Sequence, residues 1–573
     1  MVGKKMEKRK LMLFTLASAL ALAPVAGCGN NNEASPSKAT ETTANGSAPQ
    51  ESQQATGADG GKFDPPVTIT TVRSIPSDVK FKNGETVEDN VHTRWTKDKF
   101  GINLKYLWTV SGPNETFETK LRLSLSSGEK FPDIVTFRGN ETLINDLIDS
   151  GKFQDAGALF DKYASDTWKA AMNEDPTVWY AYTRDKKRIG IPILDYAQNG
   201  DPVMWIREDW LKKLNLKAPT TIAELEQVLD AFTNQDPDGN NKKDTYGLAL
   251  GLKNAYMTWM SDAGWVFGAF GTMPNQWNKM PDGTLAHGSV QPETKEGLRT
   301  LASWMSKGYL SEEAALTDEV KAAELFTSGK AGIIVGPHWM PSWPLEDVKA
   351  NVPGAEYKAY PIPTGPDGKA GRHGTLSYNG VILINKDMEH PEAFFKYQNY
   401  LFDHFANPEV GGEFENGMYE GYDYATVDGK IVRDDTIPGG KVNPEKYTLT
   451  FDGARIPSLM LGALAKLADG ATPATPFEKN LAESTPKTIL EAAKIVEDQK
   501  DITMPQMFTG PLTKTMTSKN ELLKKLEAEA FNRILYGQDS IDSFDKFVQK
   551  WKEAGGDAIT TEVNEWYKSV SGK

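Results

Sequence analysis

The chain has 573 residues, 39% of them apolar and 14 of them tryptophan, with a formal net charge of −14. That length exceeds what one hydrophobic core serves, so two or more domains are expected. A single cysteine excludes an internal disulfide framework, and the acidic balance does not favour nucleic acid or an anionic membrane surface, which need clustered basic charge.

Lys4, Lys5, Lys8, Arg9 and Lys10 precede the uncharged run Leu11 to Ala26. The run is shorter than the roughly 18 residues of a spanning helix, and basic end followed by apolar middle is the order of a secretory signal peptide at 1–27. Val25-Ala26-Gly27-Cys28 resembles a bacterial lipobox, in which the cysteine sulfur takes a diacylglycerol and becomes the first mature residue. The alternative is an ordinary cleavage site with an incidental cysteine. Cleavage removes five basic residues and one acid, taking the net charge to −18. That balance points to a neutral, cationic or small ligand, although local charge in a site can override the total. From Gly29 to Lys62 there is no Leu, Ile, Val, Phe, Tyr or Trp, so the segment cannot bury enough surface to offset its ordering entropy. It reads as a tether, at 28–64 with its lipidated cysteine, spanning roughly 30 Å as a soft chain.

PPVTITTVRS (65–74) reads as a first strand and GINLKYLWTV (101–110) as a second. Between them TVEDNVHTRWTKDKFG (86–101) carries Val87, Val91 and Trp95 at helical spacing. ETKLRLSLSSGEKFPDIVTF (118–137) continues as helix, loop and strand. The alternation predicts α/β layers on mostly parallel strands. Residues 201–232 hold a strand and a helix and then Thr221, an N-cap with Glu224 three residues on. GKAGIIVGPHWMPSWP (329–344) and TLSYNGVILINKD (375–387) give two further strands, and helical segments fill most of 386–405 and 520–570.

The densest polar signal is DPDGNNKKDTYGL (236–248), where Asp236, Asp238, Asn240 and Asp244 occupy positions 1, 3, 5 and 9 of a loop and Lys242 position 7, a backbone-carbonyl place. Oxygen donors at that alternation suit calcium at about 2.4 Å. Asn241 replaces glycine at position 6 and Gly247 the bidentate glutamate at position 12, so a turn-rich surface loop is the competing reading. With no histidine or thiol nearby, the calcium would be structural. The second signal is aromatic: Tyr256, Trp259, Trp265, Phe267, Phe270 and Trp277 crowd one segment, and Trp339 and Trp343 flank Pro341. Indole rings offer sugars an apolar face and a polar edge, and a proline-interrupted stretch after a strand is a place for binding groups rather than for a regular buried helix. Enzyme signatures are thin. The six histidines never pair in a zinc-protease spacing, no G-x-S-x-G elbow occurs, and no Gly-Lys is followed by Ser or Thr. Among 78 acids a glycosidase carboxylate pair is not identifiable by inspection.

KFPDIVTF (130–137), RIGIPILDYAQNGDPVMWIREDWLKKLNLKAPTTIAEL (188–225), DPDGNNKKDTYGLAL (236–250), GKAGIIVGPHW (329–339) and IDSFDKFVQKWKEAGGDAITTEVNEWY (541–567) follow one another along the chain. Together they resemble the extracellular solute-binding proteins of family one, the sugar receptors of ABC importers, over essentially all of 65–570. The C-terminal part is most similar to large oligosaccharide receptors such as alginate-binding proteins. The resemblance implies an α/β, periplasmic-binding-protein type II-like fold of two lobes joined by a multi-crossover hinge, with lobe one at 65–200 plus 375–460, lobe two at 201–374 plus 461–573, and ligand in the cleft. It implies calcium at Asp236, Asp238, Asn240, the Lys242 carbonyl and Asp244, with Thr245 where relatives often place a glutamate. It also implies a sugar-stacking role for Trp339, and position near the cleft adds Trp265, Trp343, Tyr378 and Asn379. The expected protein is a monomeric, non-enzymatic receptor, lipid-anchored on the outer face of the cell membrane, that delivers an oligosaccharide to an ABC permease. The alternatives are a lipid-anchored lyase or hydrolase, or a peptide or lipid receptor on the same fold.

Overall fold

A computed structural model of the chain describes residues 61–572. The leader, Cys28 and all but the end of the tether lie outside the described residues.

The strands that organise the fold are β1 (Val67–Ile75), β2 (Ile102–Ser111), β3 (Ile134–Phe137), β4 (Gly190–Leu194), β5 (Pro202–Arg207), β6 (Tyr246–Leu248), β7 (Ala331–Pro337), β8 (Tyr357–Tyr360) and β9 (Tyr378–Ile384). Three helices matter for the argument: α1 (Val91–Phe100), α2 (Ile222–Asn234) and α3 (Lys514–Leu535). In the first lobe β1 pairs with β2, Val67 beside Ile102, and a second sheet has the order β3-β9-β4. In the second lobe the order is β8-β5-β7-β6.

The local structure follows the residues. β1 is rich in β-branched side chains, which favour the pleated surface. α1 starts at Asn90, whose side chain accepts the N–H groups of His92 and Thr93 while the Thr93 hydroxyl accepts the Asn90 N–H at 3.0 Å, a reciprocal cap. Gly101 ends it at φ +70°, and a Cβ there would stand 2.3 Å from the Phe63 carbonyl oxygen. α2 begins at Thr221, whose hydroxyl accepts the Glu224 N–H at 3.2 Å. The Glu224 carboxylate reaches the N–H of Thr220 at 2.8 Å, one residue beyond the cap.

The expectation of mostly parallel strands is corrected. β1 with β2 and β6 with β7 run parallel, but β9 is antiparallel to β3 and β4, and β5 is antiparallel to β7 and β8. The cause is the connection: the chain passes from β4 directly to β5 and returns into β9, so the strands flanking each crossing insert against their neighbours' direction.

The buried apolar side chains fall into two sets. One runs from Phe63 to Leu194 and from Val381 to Ala454, with Trp168 stacked on Phe402 at 5.0 Å. The other runs from Val203 to Ile362 and from Leu461 to Tyr567, around Trp205, Trp210, Trp265 and Trp304. The two α/β lobes are therefore each assembled from segments distant in sequence.

Where the chain passes between the sets, one carboxylate gathers the strands. Asp201 is fully buried and accepts the Thr375 N–H and the Thr503 hydroxyl, both at 2.8 Å. Arg372, also fully buried, stands 3.4 Å from it and donates to Thr503 Oγ1 at 3.1 Å and to the Val496 carbonyl at 2.8 Å. Backbone bonds from Asp195 to Ser377 and from Ala197 to Pro457, each 2.9 Å, add to the junction.

Candidate functional site

A cavity of about 680 Å³ lies between the lobes, within the range of small-molecule sites. Lobe one supplies the first turns of the helix Glu141–Asp149 that follows β3, with Glu141 and Asn145, then Tyr182 and the start of β9. Lobe two supplies residues 252–256, Asn275, Trp277 and one face of α3. On that face Asn520, Lys524 and Asn532 recur at helical intervals beside Glu527, a polar stripe turned to the cavity. The walls are braced from behind. The Tyr182 hydroxyl donates to the Gly380 carbonyl at 3.0 Å, and the Tyr256 hydroxyl donates to Asn532 Oδ1 at 2.9 Å.

Electrostatically the site is set by burial. Glu527 is pushed up to about 7, chiefly by burial, against the pull of donors from Ser289 and Asn275. Burial also brings His287 down to about 4, so it is a neutral imidazole; it stacks on Trp551 at 5.2 Å.

Beside the cavity stand three indoles. Trp259 is 6.0 Å from both Trp339 and Trp343, at 21° and 16° between planes. Trp339 Nε1 donates to the Asn199 carbonyl at 2.8 Å, which places it at the junction between lobes. Glu319 links the stack to the cavity, accepting from Trp259 Nε1 at 3.2 Å and from the cavity residue Asn254 at 2.9 Å. Trp259 and Trp343 remain 36% and 41% exposed.

The structure thus sorts the expected ligand contacts. Tyr378 and Asn379 line the cavity. Trp339 and Trp343 belong to the flanking stack and not to the cavity wall. Trp265 is corrected: it is fully buried, donates Nε1 to the Asp262 carbonyl at 3.0 Å and packs against Trp304, so its ring has no face for a ligand. Trp259, Glu527, Lys524 and Lys253 were not singled out from sequence. Trp259 stood in the aromatic crowd, but which of its rings are exposed is set by tertiary packing, and the stripe on α3 carries no motif.

The loop at 236–244 is closed by hydrogen bonds among its own residues. Asp236 Oδ2 accepts the Asn241 N–H at 3.1 Å, Asp238 Oδ1 the Asn240 N–H at 3.3 Å, and Asn240 Oδ1 the Lys242 N–H at 2.7 Å. The Asn240 amide nitrogen reaches Asp238 at 2.7 Å and Asp244 at 3.0 Å, and Lys330 pairs with Asp244. Asp236 Oδ1 is buried with no partner, and Asp238 is raised by burial and by its acidic neighbours. Among the described residues no three His, Cys, Asp or Glu side chains are gathered as a metal site. The Thr245 hydroxyl donates to the Phe232 carbonyl at 2.8 Å.

Comparison with known proteins places this geometry. The model of the bacterial extracellular solute-binding protein family matches residues 80–404. The polygalacturonan/rhamnogalacturonan-binding protein of Bacillus subtilis is 27% identical over 465 residues, 80% of this chain and 84% of that one. Among solved structures, an HMO-binding ABC-transporter-associated solute-binding protein from Bifidobacterium longum infantis superposes with a TM-score of 0.61 at 16% identity, covering 88% of this chain and 99% of the other. An EF-hand mutant of a Streptococcus pneumoniae ABC-transporter substrate-binding protein, in complex with fructo-nystose, gives 0.54 at 17% identity, covering 88% and 99%. With more than half of its length matched by the family model and its two-lobed fold shared with these structures, the chain belongs to the bacterial extracellular solute-binding protein family.

Proposed function

We propose that this protein captures an oligosaccharide in the cavity between its lobes and presents the closed complex to an ABC importer. The observation that carries the reading is the cavity itself, walled by both lobes and lined by tyrosine, tryptophan and amide side chains, with three stacked indoles alongside. Ligand binding favours closure only as far as the ligand touches both walls. The B. subtilis relative named for polygalacturonan and the S. pneumoniae complex with fructo-nystose support a sugar as ligand. No bond is broken in this scheme, and the permease is the partner that reads the closed shape.

Two further elements belong to the proposal. Cys28 carries the diacylglycerol that holds the receptor, as a monomer, on the outer face of the membrane, and one diacylated residue holds far better than a single acyl chain. Calcium is held by the carboxylates of Asp236, Asp238 and Asp244, Asn240 Oδ1 and the Lys242 carbonyl. The unpartnered Asp236 oxygen and the raised Asp238 support this, because a cation satisfies the first and relieves the second. The ion's contribution is structural, tying the end of α2 to the strand that follows.

The test is a thermal-shift panel of oligosaccharides of graded length and charge. A ligand at a hundred times its dissociation constant stabilises by about 2.7 kcal/mol, a shift of about 2 °C in a chain of 573 residues. Stabilisation by dipeptides and by no sugar overturns the reading, as does the release of new reducing ends or unsaturated products.

A further inference from the structure

The wall that lobe two gives the cavity is charged against the trend of the chain. In a protein with 78 acidic and 64 basic residues, this wall presents Lys253 and Lys524, and among the described residues Glu527 is its one carboxyl.

The way Glu527 is held decides what it can offer. Ser289 Oγ donates to its Oε1 at 2.8 Å, and Asn275 Nδ2 donates to the same oxygen. The orientation of the Asn275 amide is fixed, because its Oδ1 accepts the Met257 N–H at 3.3 Å; its own N–H goes to Ser289 Oγ at 2.8 Å. Oε1 is therefore an acceptor twice over, and among the described residues no donor reaches Oε2. A proton on this carboxyl sits on Oε2, the atom left for a ligand.

We propose that Glu527 and Lys524 form a carboxylate-binding subsite, in which the Oε2 hydroxyl and the lysine ammonium receive the ring carboxylate of a uronic acid unit, with a proton taken up on binding. The proposal rests on the oligosaccharide reading and assigns its chemical class. A neutral acid beside a cation suits an anionic ring, whereas an ionised Glu527 repels it; burial, which keeps the group protonated up to about 7, favours the first state. The charged and titratable surroundings are few. Lys524 lies one turn away on α3 and is tied to Glu521 at 3.1 Å; Lys253 and Tyr256 come from the preceding loop and neutral His287 from a neighbouring strand. Glu141 is on the lobe-one wall. On the helices packed behind α3, Lys295 pairs with Asp545 at 2.8 Å and Arg299 with Glu296 at 3.1 Å.

Calorimetric titration of the mature protein with trigalacturonate, and with kestose as a neutral trisaccharide, in two buffers of different ionisation heat tests this. Above about pH 7 the dissociation constant for trigalacturonate is expected to rise about tenfold per pH unit, with uptake of about one proton at about pH 8. E527Q is expected to flatten that profile and abolish the buffer dependence. Trigalacturonate binding at about pH 8 without proton uptake by the wild-type protein overturns the subsite. So does binding of kestose with none of trigalacturonate at any pH, which leaves the oligosaccharide reading standing. Failure of both trisaccharides and of every sugar in the thermal-shift panel overturns that reading and the subsite with it.

Discussion

Asp201→Asn isolates the buried junction. The substitution keeps the shape of the side chain and an oxygen for the Thr375 N–H, now 2.8 Å away. It removes the charge that faces Arg372 and sets an NH2 group against groups that already donate, the Thr503 hydroxyl and Arg372 Nε. Both ionic side chains are fully buried, so solvent cannot replace the lost partner, and burial already pulls the Arg372 guanidinium below its ordinary range while Asp201 pulls it back. Leaving one charge of a buried pair alone costs about 3–5 kcal/mol. In a chain of 573 residues that is a fall in midpoint of about 3–4 °C. Scanning calorimetry at low and high salt is the assay. The loss should be independent of salt, unlike that of the exposed Arg94 pair with Asp89. The double variant D201L/R372M should recover more than half of it, because an apolar replacement of both partners removes the stranded charge. A D201N variant within about 1 kcal/mol of wild type, or a double variant no better than the single one, refutes the assignment.

Trp265→Ala should cost about 3–5 kcal/mol, as a large ring lost from a closed core, whereas Trp259→Ala should cost no more than about 1.5 kcal/mol of stacking and lower oligosaccharide affinity; denaturation curves and titrations on both variants separate the roles. His92 and His338 are buried and held down to about 3 and about 4, by burial first and then by Arg73 and Arg372 respectively. Their unfolded forms bind protons below about 6.5 while the folded forms do not, so stability is lost as pH falls from about 6.5 to about 4, on the order of 3 kcal/mol for each. A melting series in which His92→Gln and His338→Gln leave that slope unchanged contradicts this. Glu527 acts with the opposite sign: its folded form keeps the proton up to about 7 and its unfolded form loses it near 4.5, so its contribution falls as pH rises through that window. Chelation of calcium should lower the midpoint of the wild-type protein and not that of Asp236→Ala. Cys28→Ala should release the receptor from membranes into the medium, read by fractionation.

Much of the fold was legible because the signals were local. The first strand at 65–74, the helical spacing of Val91 and Trp95 and the Thr221 cap are written in neighbouring residues, and the structure uses each of them. Strand direction was not legible, since nothing inside β5 or β9 says whether its partner runs with it or against it; the crossings decide. The site divides in the same way. Tyr378 and Asn379 could be placed because they open a strand at an expected crossing. Trp265 and Trp259 are six residues apart with the same side chain, and only the short helix Gly264–Gly268, which turns one indole into the core, separates their fates. Glu527 and Asn275 lie 252 residues apart along the chain, and no pattern in either segment announces their meeting.

The division of the cavity between its walls bears on how binding becomes closure. Lobe two provides the larger share, including all of α3's stripe, so a ligand can lodge there first. Contacts with lobe two alone are equal in the open and closed forms and shift nothing. To move the lobes from mostly open to mostly closed, lobe one must add about 5.5 kcal/mol of differential binding. Its hydrogen-bonding groups are mostly committed already: Tyr182 to Gly380, and Asn145 to the carbonyl of Glu141 and to Arg184. The Glu141 carboxylate and the Asn379 amide line the cavity and, among the described residues, have no hydrogen-bond partner of their own. Hydrogen bonds to a charged group contribute about 1.5–3 kcal/mol each, so two ligand hydroxyls on Glu141 and one group on Asn379 are enough. On the proposed reading, closure then depends on Glu141 and Asn379 of the smaller wall, while the larger wall supplies most of the affinity.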